Sequence, residues 1–96
     1  MNLNEYATEC HKTAVEKGFW KASKSIPTKL MLIVTELAEA CEADRKDNKE
    51  NFNEEIADVF IRLFDLCGHL DIDIENEIHK KMITNTGRPK LHGKRY

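Results

Sequence analysis

Four acidic residues have the side-chain type and the spacing to bind a divalent cation. Glu36 and Glu39 lie three residues apart, and Glu55 and Asp58 repeat that spacing further along the chain. Residues three apart share one face of a helix, so each pair directs two carboxylates the same way. Fifteen residues lie between Glu39 and Glu55, enough to end one helix, turn and begin an antiparallel neighbour. We therefore expect the four carboxylates to converge.

Converging carboxylates need a positive partner. Like charges raise one another's pKa, whereas a hard cation neutralises them, and oxygen ligands suit Mg²⁺ or Mn²⁺ better than zinc. Between residues 30 and 41 only Thr35, Glu36 and Glu39 are polar, so their helix is expected to be buried on most sides. The alternative is that each pair is a solvated helix face, as acidic helices often have. Two pairs on consecutive apolar helices favour the metal interpretation.

Three other kinds of site are excluded by the residues present. No histidine has a glutamate three positions before it, so the ligand pairs of di-iron bundles are missing. The glycines of the last ten residues do not have the spacing of a phosphate-binding P-loop. The elements of a serine-histidine hydrolase cannot be placed either.

Apolar residues at three- and four-residue steps predict four helices that position these side chains. Their approximate ranges are 2–18, 28–48, 51–70 and 74–86, followed by a basic tail over 87–96. Gly18 and Pro27 predict a loop over 19–28, with Thr28 as the cap of the second helix. No strand pattern competes. The chain, 1–96, is therefore expected to be one all-α domain that resembles a four-helix bundle.

Charge is distributed unevenly along the chain. The net charge is −2, which argues against a protein that wraps duplex nucleic acid. Residues 36–58 contain nine acidic and three basic side chains, whereas 79–96 contain six Lys or Arg and no acid. Both surfaces would suit a protein that holds a cation and a polyanion together, although solvated helices also show such asymmetry.

The cysteines and the hydropathy bear on the compartment. Cys10, Cys41 and Cys67 are odd in number and fall in apolar stretches, which predicts reduced core thiols. The longest strongly apolar run, 30–34, is far shorter than the ~20 residues that cross a bilayer. We expect a cytoplasmic protein that does not bind membranes.

Three segments together resemble the MazG-like, all-α nucleoside triphosphate pyrophosphatases. They are TELAEA with Glu36 and Glu39, EEIADV with Glu55 and Asp58, and HKKMITNTGRPKLHGKRY at the end of the chain. The order of the acidic pairs, their separation and the trailing basic segment make the resemblance specific, and it covers nearly the whole chain. Thr35 stands where many members carry a second acidic residue next to the first glutamate.

The resemblance implies an activity and a set of ligands. The activity is hydrolysis of NTPs or dNTPs to the monophosphate and pyrophosphate, by dimers or dimers of dimers. Glu36, Glu39, Glu55 and Asp58 would hold Mg²⁺, with Mn²⁺ as a substitute, and one of the glutamates would act as general base. The residues expected at the phosphates are Lys81, Asn85 and Arg88, with Lys94 and Arg95 as weaker candidates.

Two adjacent aromatic residues, Phe19 and Trp20, lie in the predicted loop before the second helix. Trp20, beside Lys21 and Lys24, is a candidate to stack on the nucleobase, with core packing as the alternative. His11 is a second candidate for contact with the base, and Phe19 is expected in the core.

The second helix also predicts self-association, because its apolar residues are too many for one narrow core: Leu30, Met31, Leu32, Ile33, Val34 and Leu37.

A non-enzymatic alternative remains open. It is a helical interaction module whose basic tail docks an acidic partner or RNA, which would explain the tail but not buried glutamates.

Overall fold

Helices account for all the regular structure of the chain. A computed structural model describes residues 1–96 and confirms the all-α class. The α-helices are α1 (Leu3–Glu16), α2 (Phe19–Ala22), α3 (Ile26–Arg45), α4 (Lys49–Leu70) and α5 (Ile74–Thr86), and a 3₁₀ turn covers Lys90–Gly93. The four long helices match the predicted ones within a few residues at each end.

The structure corrects the start of two helices. Ser25, not Thr28, caps α3, because its side chain accepts a hydrogen bond from the Thr28 amide at 3.3 Å. Asn48 caps α4 and starts it two residues before the predicted position 51. The predicted loop 19–28 is wrong in part, since α2 covers its first four residues and α3 begins at Ile26. Gly18 is the N-cap residue of α2. Its φ of +86° is a left-handed conformation that glycine adopts without strain.

Helix α4 is the centre of the fold, because α1 and α3 both pack along it. The backbones of α1 and α4 approach closely at Gly68. A Cβ added there would lie 2.5 Å from the carbonyl oxygen of Ala7 and 2.6 Å from the Cβ of His11. The start of α5 is held against α1 by Asn4, whose side-chain amide donates to Asp73 at 2.9 Å and whose oxygen accepts from the Glu75 amide at 3.2 Å.

The core of the chain is small and mostly aliphatic. Two of its ten buried residues are charged, Lys29 and Glu36. The other eight are Ala7, Ala14, Trp20, Ile33, Ala40, Ala43, Leu66 and Cys67. The prediction that all three cysteines are core thiols is wrong for Cys41, which is exposed; Cys10 is half-buried, and none of the three forms a disulfide.

Large apolar side chains remain uncovered on two helices. On α3, Ile33 is buried and Leu32 is half-buried, whereas Leu30, Met31, Val34 and Leu37 are exposed. Helix α5 has no buried residue, and its apolar side chains Ile78, Met82 and Ile83 are also exposed. As the sequence predicts, one core does not cover the apolar residues of α3.

No helix combines the length and the apolar character that crossing a bilayer requires.

Candidate metal centre and adjoining cavity

Three glutamates meet where α3 packs on α4. One carboxylate oxygen from each of Glu36, Glu39 and Glu55 lies within 4.8 Å of the other two. Helix α3 supplies the first two from one face, and α4 supplies the third from across the helix interface. We call this set the glutamate cluster. Each member offers oxygen ligands of the kind that hard divalent cations prefer.

One atom of the glutamate cluster lacks a partner. The Oε2 atom of Glu55 is buried and accepts no hydrogen bond, and no other buried side-chain nitrogen or oxygen in the chain is left unpaired. A buried carboxylate oxygen without a donor is costly, so it needs a proton or a cation. Glu36 is buried and Glu39 is exposed, so the cluster is open to solvent on one side.

The cluster shifts the pKa of two members in opposite directions. Hydrogen bonding to Glu36 and Glu39, loss of solvation and their negative charges raise the pKa of Glu55 to about 7. Burial alone would raise the pKa of Glu36, but hydrogen bonds from Arg62, Glu55 and Glu39 and the charge of Arg62 hold it below its usual value. Without a cation, Glu55 is therefore the carboxylate that keeps a proton.

These features fit a divalent cation. Three carboxylates, one of them with an unpaired buried oxygen, are a donor set for Mg²⁺ or Mn²⁺ and lack the nitrogen or sulfur ligands typical of zinc. Asp58, predicted as a fourth ligand, is exposed and lies outside the glutamate cluster. It lines a neighbouring cavity instead.

That cavity has a volume of about 480 Å³ and lies between α1, α3 and α4. Its wall includes Glu36, so the cavity and the glutamate cluster share a residue. Charges of both signs line it: Lys29 and Arg62 are basic, and Glu9, Glu36, Asp58 and Asp65 are acidic. Its size falls in the range of sites that hold small organic molecules.

Arg62 pairs with the glutamate cluster but is not among the site residues predicted from the sequence. Its Nε donates to Oε1 of Glu36 at 3.0 Å, the only ion pair made by the glutamate cluster. A signal for it exists in the sequence, because Arg62 is the only Lys or Arg between Lys49 and Lys80. It also follows Glu55 by seven residues, which places both on one face of α4.

Trp20 lies in the core, where its indole is enclosed. Its Nε1 donates to Oδ1 of Asp65 at 2.8 Å, and its ring stacks on His69 with 3.7 Å between centroids. The Nζ of Lys29 lies 4.4 Å from the ring centroid. Trp20 thus has no open face for a nucleobase, and the expectation that it stacks on one is not met in this structure.

His11 and Phe19 also differ from expectation. His11 joins the same hydrogen-bonded group, since its Nδ1 lies 2.9 Å from the Oδ1 of Asp65 that Trp20 also contacts. The prediction that Phe19 is a core residue is wrong, because Phe19 is 52% exposed and lines the cavity. Adjacent residues of the short α2 point in different directions, and here Trp20 is the inner one.

The predicted phosphate-binding residues make no hydrogen bond to the cluster within one chain. All are exposed on α5 or the tail, and none of them lines the cavity or forms an ion pair with a glutamate of the cluster: Lys81, Asn85, Arg88, Lys94 and Arg95. The guanidinium of Arg88 has one hydrogen-bond partner, the Nδ1 of His92 at 3.3 Å. The reason is that α5 packs against the start of α1 and not along α3.

The cations at the cavity are instead Lys29 and Arg62, on the two helices that carry the glutamates. Lys29 is buried and donates to the carbonyl oxygen of Phe19 at 2.8 Å.

Comparisons with family models, curated proteins and solved structures find no match to this chain.

Proposed function

We propose that this protein is a Mg²⁺-dependent pyrophosphohydrolase that cleaves NTPs or dNTPs between the α and β phosphates. The observation that carries the proposal is the glutamate cluster with its unpaired Glu55 oxygen, at the wall of a cavity of about 480 Å³. A site for a hard cation beside a pocket for a small molecule is the combination that hydrolysis of a nucleotide requires. The resemblance of the acidic motifs and the basic tail supports the choice of substrate.

Glu36, Glu39 and Glu55 would hold Mg²⁺ or Mn²⁺, with Asp58 available from the cavity wall. The cation would neutralise phosphate charge in the transition state. The oxygen of the attacking water bonds to the α phosphorus, and one of the glutamates accepts the proton that this water loses. The bond from that phosphorus to the α–β bridging oxygen breaks, and pyrophosphate leaves with the electron pair.

A second copy of the chain completes the proposed site. The residues of α5 and the tail that are proposed to bind phosphate form no hydrogen bond or ion pair with the glutamate cluster of their own chain. Exposed apolar residues on α3 and α5 provide a surface that a homodimer or a dimer of dimers would bury. We propose that the association brings the tail of one copy to the carboxylates of the other.

Pyrophosphate release from a panel of NTPs and dNTPs, with and without Mg²⁺, tests the function. Glu39→Gln removes a carboxylate of the cluster that is exposed and supports no packing, so we expect turnover to be lost with the fold intact. Asp44→Asn, an exposed acid on the same helix, is the matched control and should keep wild-type turnover. Turnover by Glu39→Gln near the wild-type rate at saturating Mg²⁺ would show that the cluster is not the catalytic centre.

The exposed basic residues of 79–96, at the end of α5 and in the tail, favour one alternative, an interaction module that binds an acidic partner or RNA. The two functions differ in their response to Mg²⁺. A cation that binds only the folded chain raises its melting temperature, so a large increase supports the enzyme. No increase, together with binding of RNA by the intact chain, would support the module.

A further inference from the structure

Arg62 connects the glutamate cluster to the cavity. Its Nε donates to Glu36, yet neither of its Nη atoms has a hydrogen-bond partner, and the side chain is 32% exposed at the cavity wall. A guanidinium carries five N–H donors in a planar fork, so four remain available here. Such a fork binds the oxygens of a phosphate group in bidentate fashion.

The same guanidinium also provides positive charge to the glutamate cluster. It makes the only ion pair of the cluster, and it does so through Glu36, the buried member. A divalent cation in the cluster would need the same carboxylate and would be repelled by the guanidinium charge. Arg62 and the cation therefore compete for Glu36, unless an anion in the cavity offsets the charge of Arg62.

We infer that Arg62 is a phosphate-binding residue that couples anion binding in the cavity to cation binding in the glutamate cluster. This inference rests on the proposed function and assigns it a residue that connects its two ligands. Without phosphate, Arg62 weakens cation binding. With phosphate on its Nη atoms, its charge is shared with the anion and Glu36 is released to the cation. Coupling of this kind is reciprocal, so the cation also strengthens phosphate binding.

Two variants and two probes test the coupling. We expect Arg62→Gln to bind Mn²⁺ alone about tenfold more tightly than wild type, because the competing charge is gone. The same variant should bind inorganic triphosphate at saturating Mg²⁺ about tenfold more weakly, because the fork is gone. Arg62→Lys keeps the charge without the fork, so its Mn²⁺ affinity should stay near wild type while its triphosphate affinity falls. Both affinities are measured by titration calorimetry.

Arg45→Gln is the matched control. Arg45 also pairs with a glutamate, Glu42, at 3.1 Å, but both side chains are exposed and neither belongs to the cluster. Solvent and salt screen that pair, so its loss should leave both affinities unchanged. Circular dichroism establishes that each variant is folded. If Arg62→Gln does not fold, Arg62→Lys decides, and unchanged affinity for triphosphate would overturn the inference.

The outcomes separate this inference from the proposed function. Parallel weakening of Mn²⁺ and triphosphate binding in Arg62→Gln, with nucleotide cleavage by the wild type, would show that Arg62 only supports the fold. Opposite changes in the two affinities support the inference even if the wild type cleaves no nucleotide, in which case the proposed function alone fails. A wild type that binds no Mn²⁺ overturns both.

Discussion

Folding raises the proton affinity of Glu55, so the free energy of unfolding should depend on pH. Its pKa rises from 4.5 to about 7, so between these values the folded protein keeps a proton that the unfolded chain releases. The free energy of unfolding without a cation should therefore fall as the pH rises through this window. The lowered pKa of Glu36 has the opposite sign, but its stabilisation is lost only as the pH falls below the usual range.

Thermal melts of the metal-free protein at about pH 5 and about pH 8 measure this dependence. Glu55→Gln has no proton to lose, so its melting temperature should vary less between the two conditions than that of wild type. Glu54→Gln, the exposed neighbour on α4, should keep the wild-type dependence. Equal slopes for wild type and Glu55→Gln would contradict the assignment of the proton to this carboxylate.

Asp58 allows a second test at the level of single residues, because it lies outside the glutamate cluster but lines the cavity. We expect Asp58→Asn to lower nucleotide turnover while weakening Mn²⁺ binding less than Glu39→Gln does. Direct titration with Mn²⁺ compares the two variants. Equal losses of Mn²⁺ affinity would show that all four carboxylates bind the cation, as the motifs alone predict.

The approach of α1 to α4 makes a prediction for a single methyl group. Gly68→Ala would place a Cβ 2.5 Å from the Ala7 carbonyl oxygen, so the helices must separate. Overpacking of this kind costs about 2 kcal/mol, which lowers the melting temperature of a domain this size by about 10 °C. Gly87→Ala is the control, because its nearest neighbour would be 3.7 Å away. Equal melting temperatures for the two variants would refute a close contact at Gly68.

The sequence predicts the long helices well because each repeats its apolar pattern over several turns. It misses α2, since four residues are too few to show a helical period. It also favours Thr28 as the cap of α3, because Pro27 is typical of a loop. Here Pro27 lies within the first turn of the helix, and Ser25 is the cap. Both errors therefore fall in the short segment between α1 and the first turn of α3.

The spacing of residues within a helix predicts only part of the candidate site. Spacing places Glu36 and Glu39 on one face, and the antiparallel neighbour brings Glu55 to them. Asp58 has the same three-residue spacing from Glu55, yet it lies outside the cluster and lines the cavity. Its position therefore depends on where α4 docks on α3 and not on the spacing within α4. The pairing of Arg62 with Glu36 depends on how α3 and α4 dock. The apolar periodicity of either helix alone does not predict that docking.

The uncovered apolar face of α3 makes a prediction about the whole molecule. Met31 is 58% exposed and Val34 is 47% exposed, a cost that a second copy would remove. Light scattering should give a mass of at least twice the 11.1 kDa of one chain. Val34→Glu should reduce it toward that of the monomer, whereas Val15→Glu, at a similarly exposed site on α1, should not. A wild-type mass near one chain, with full activity, would refute the dimer.

The enclosure of Trp20 gives the protein an optical reporter of its own folding. It is the only tryptophan in the chain, and its indole is buried against His69 with its N–H on Asp65. Its emission should shift to longer wavelength when α1, α2 and α4 separate and the indole meets water. Stopped-flow fluorescence can therefore follow the assembly of these three helices without an attached dye. The signal comes from one known place, so a kinetic phase that appears in far-UV dichroism but not in emission belongs to another part of the chain.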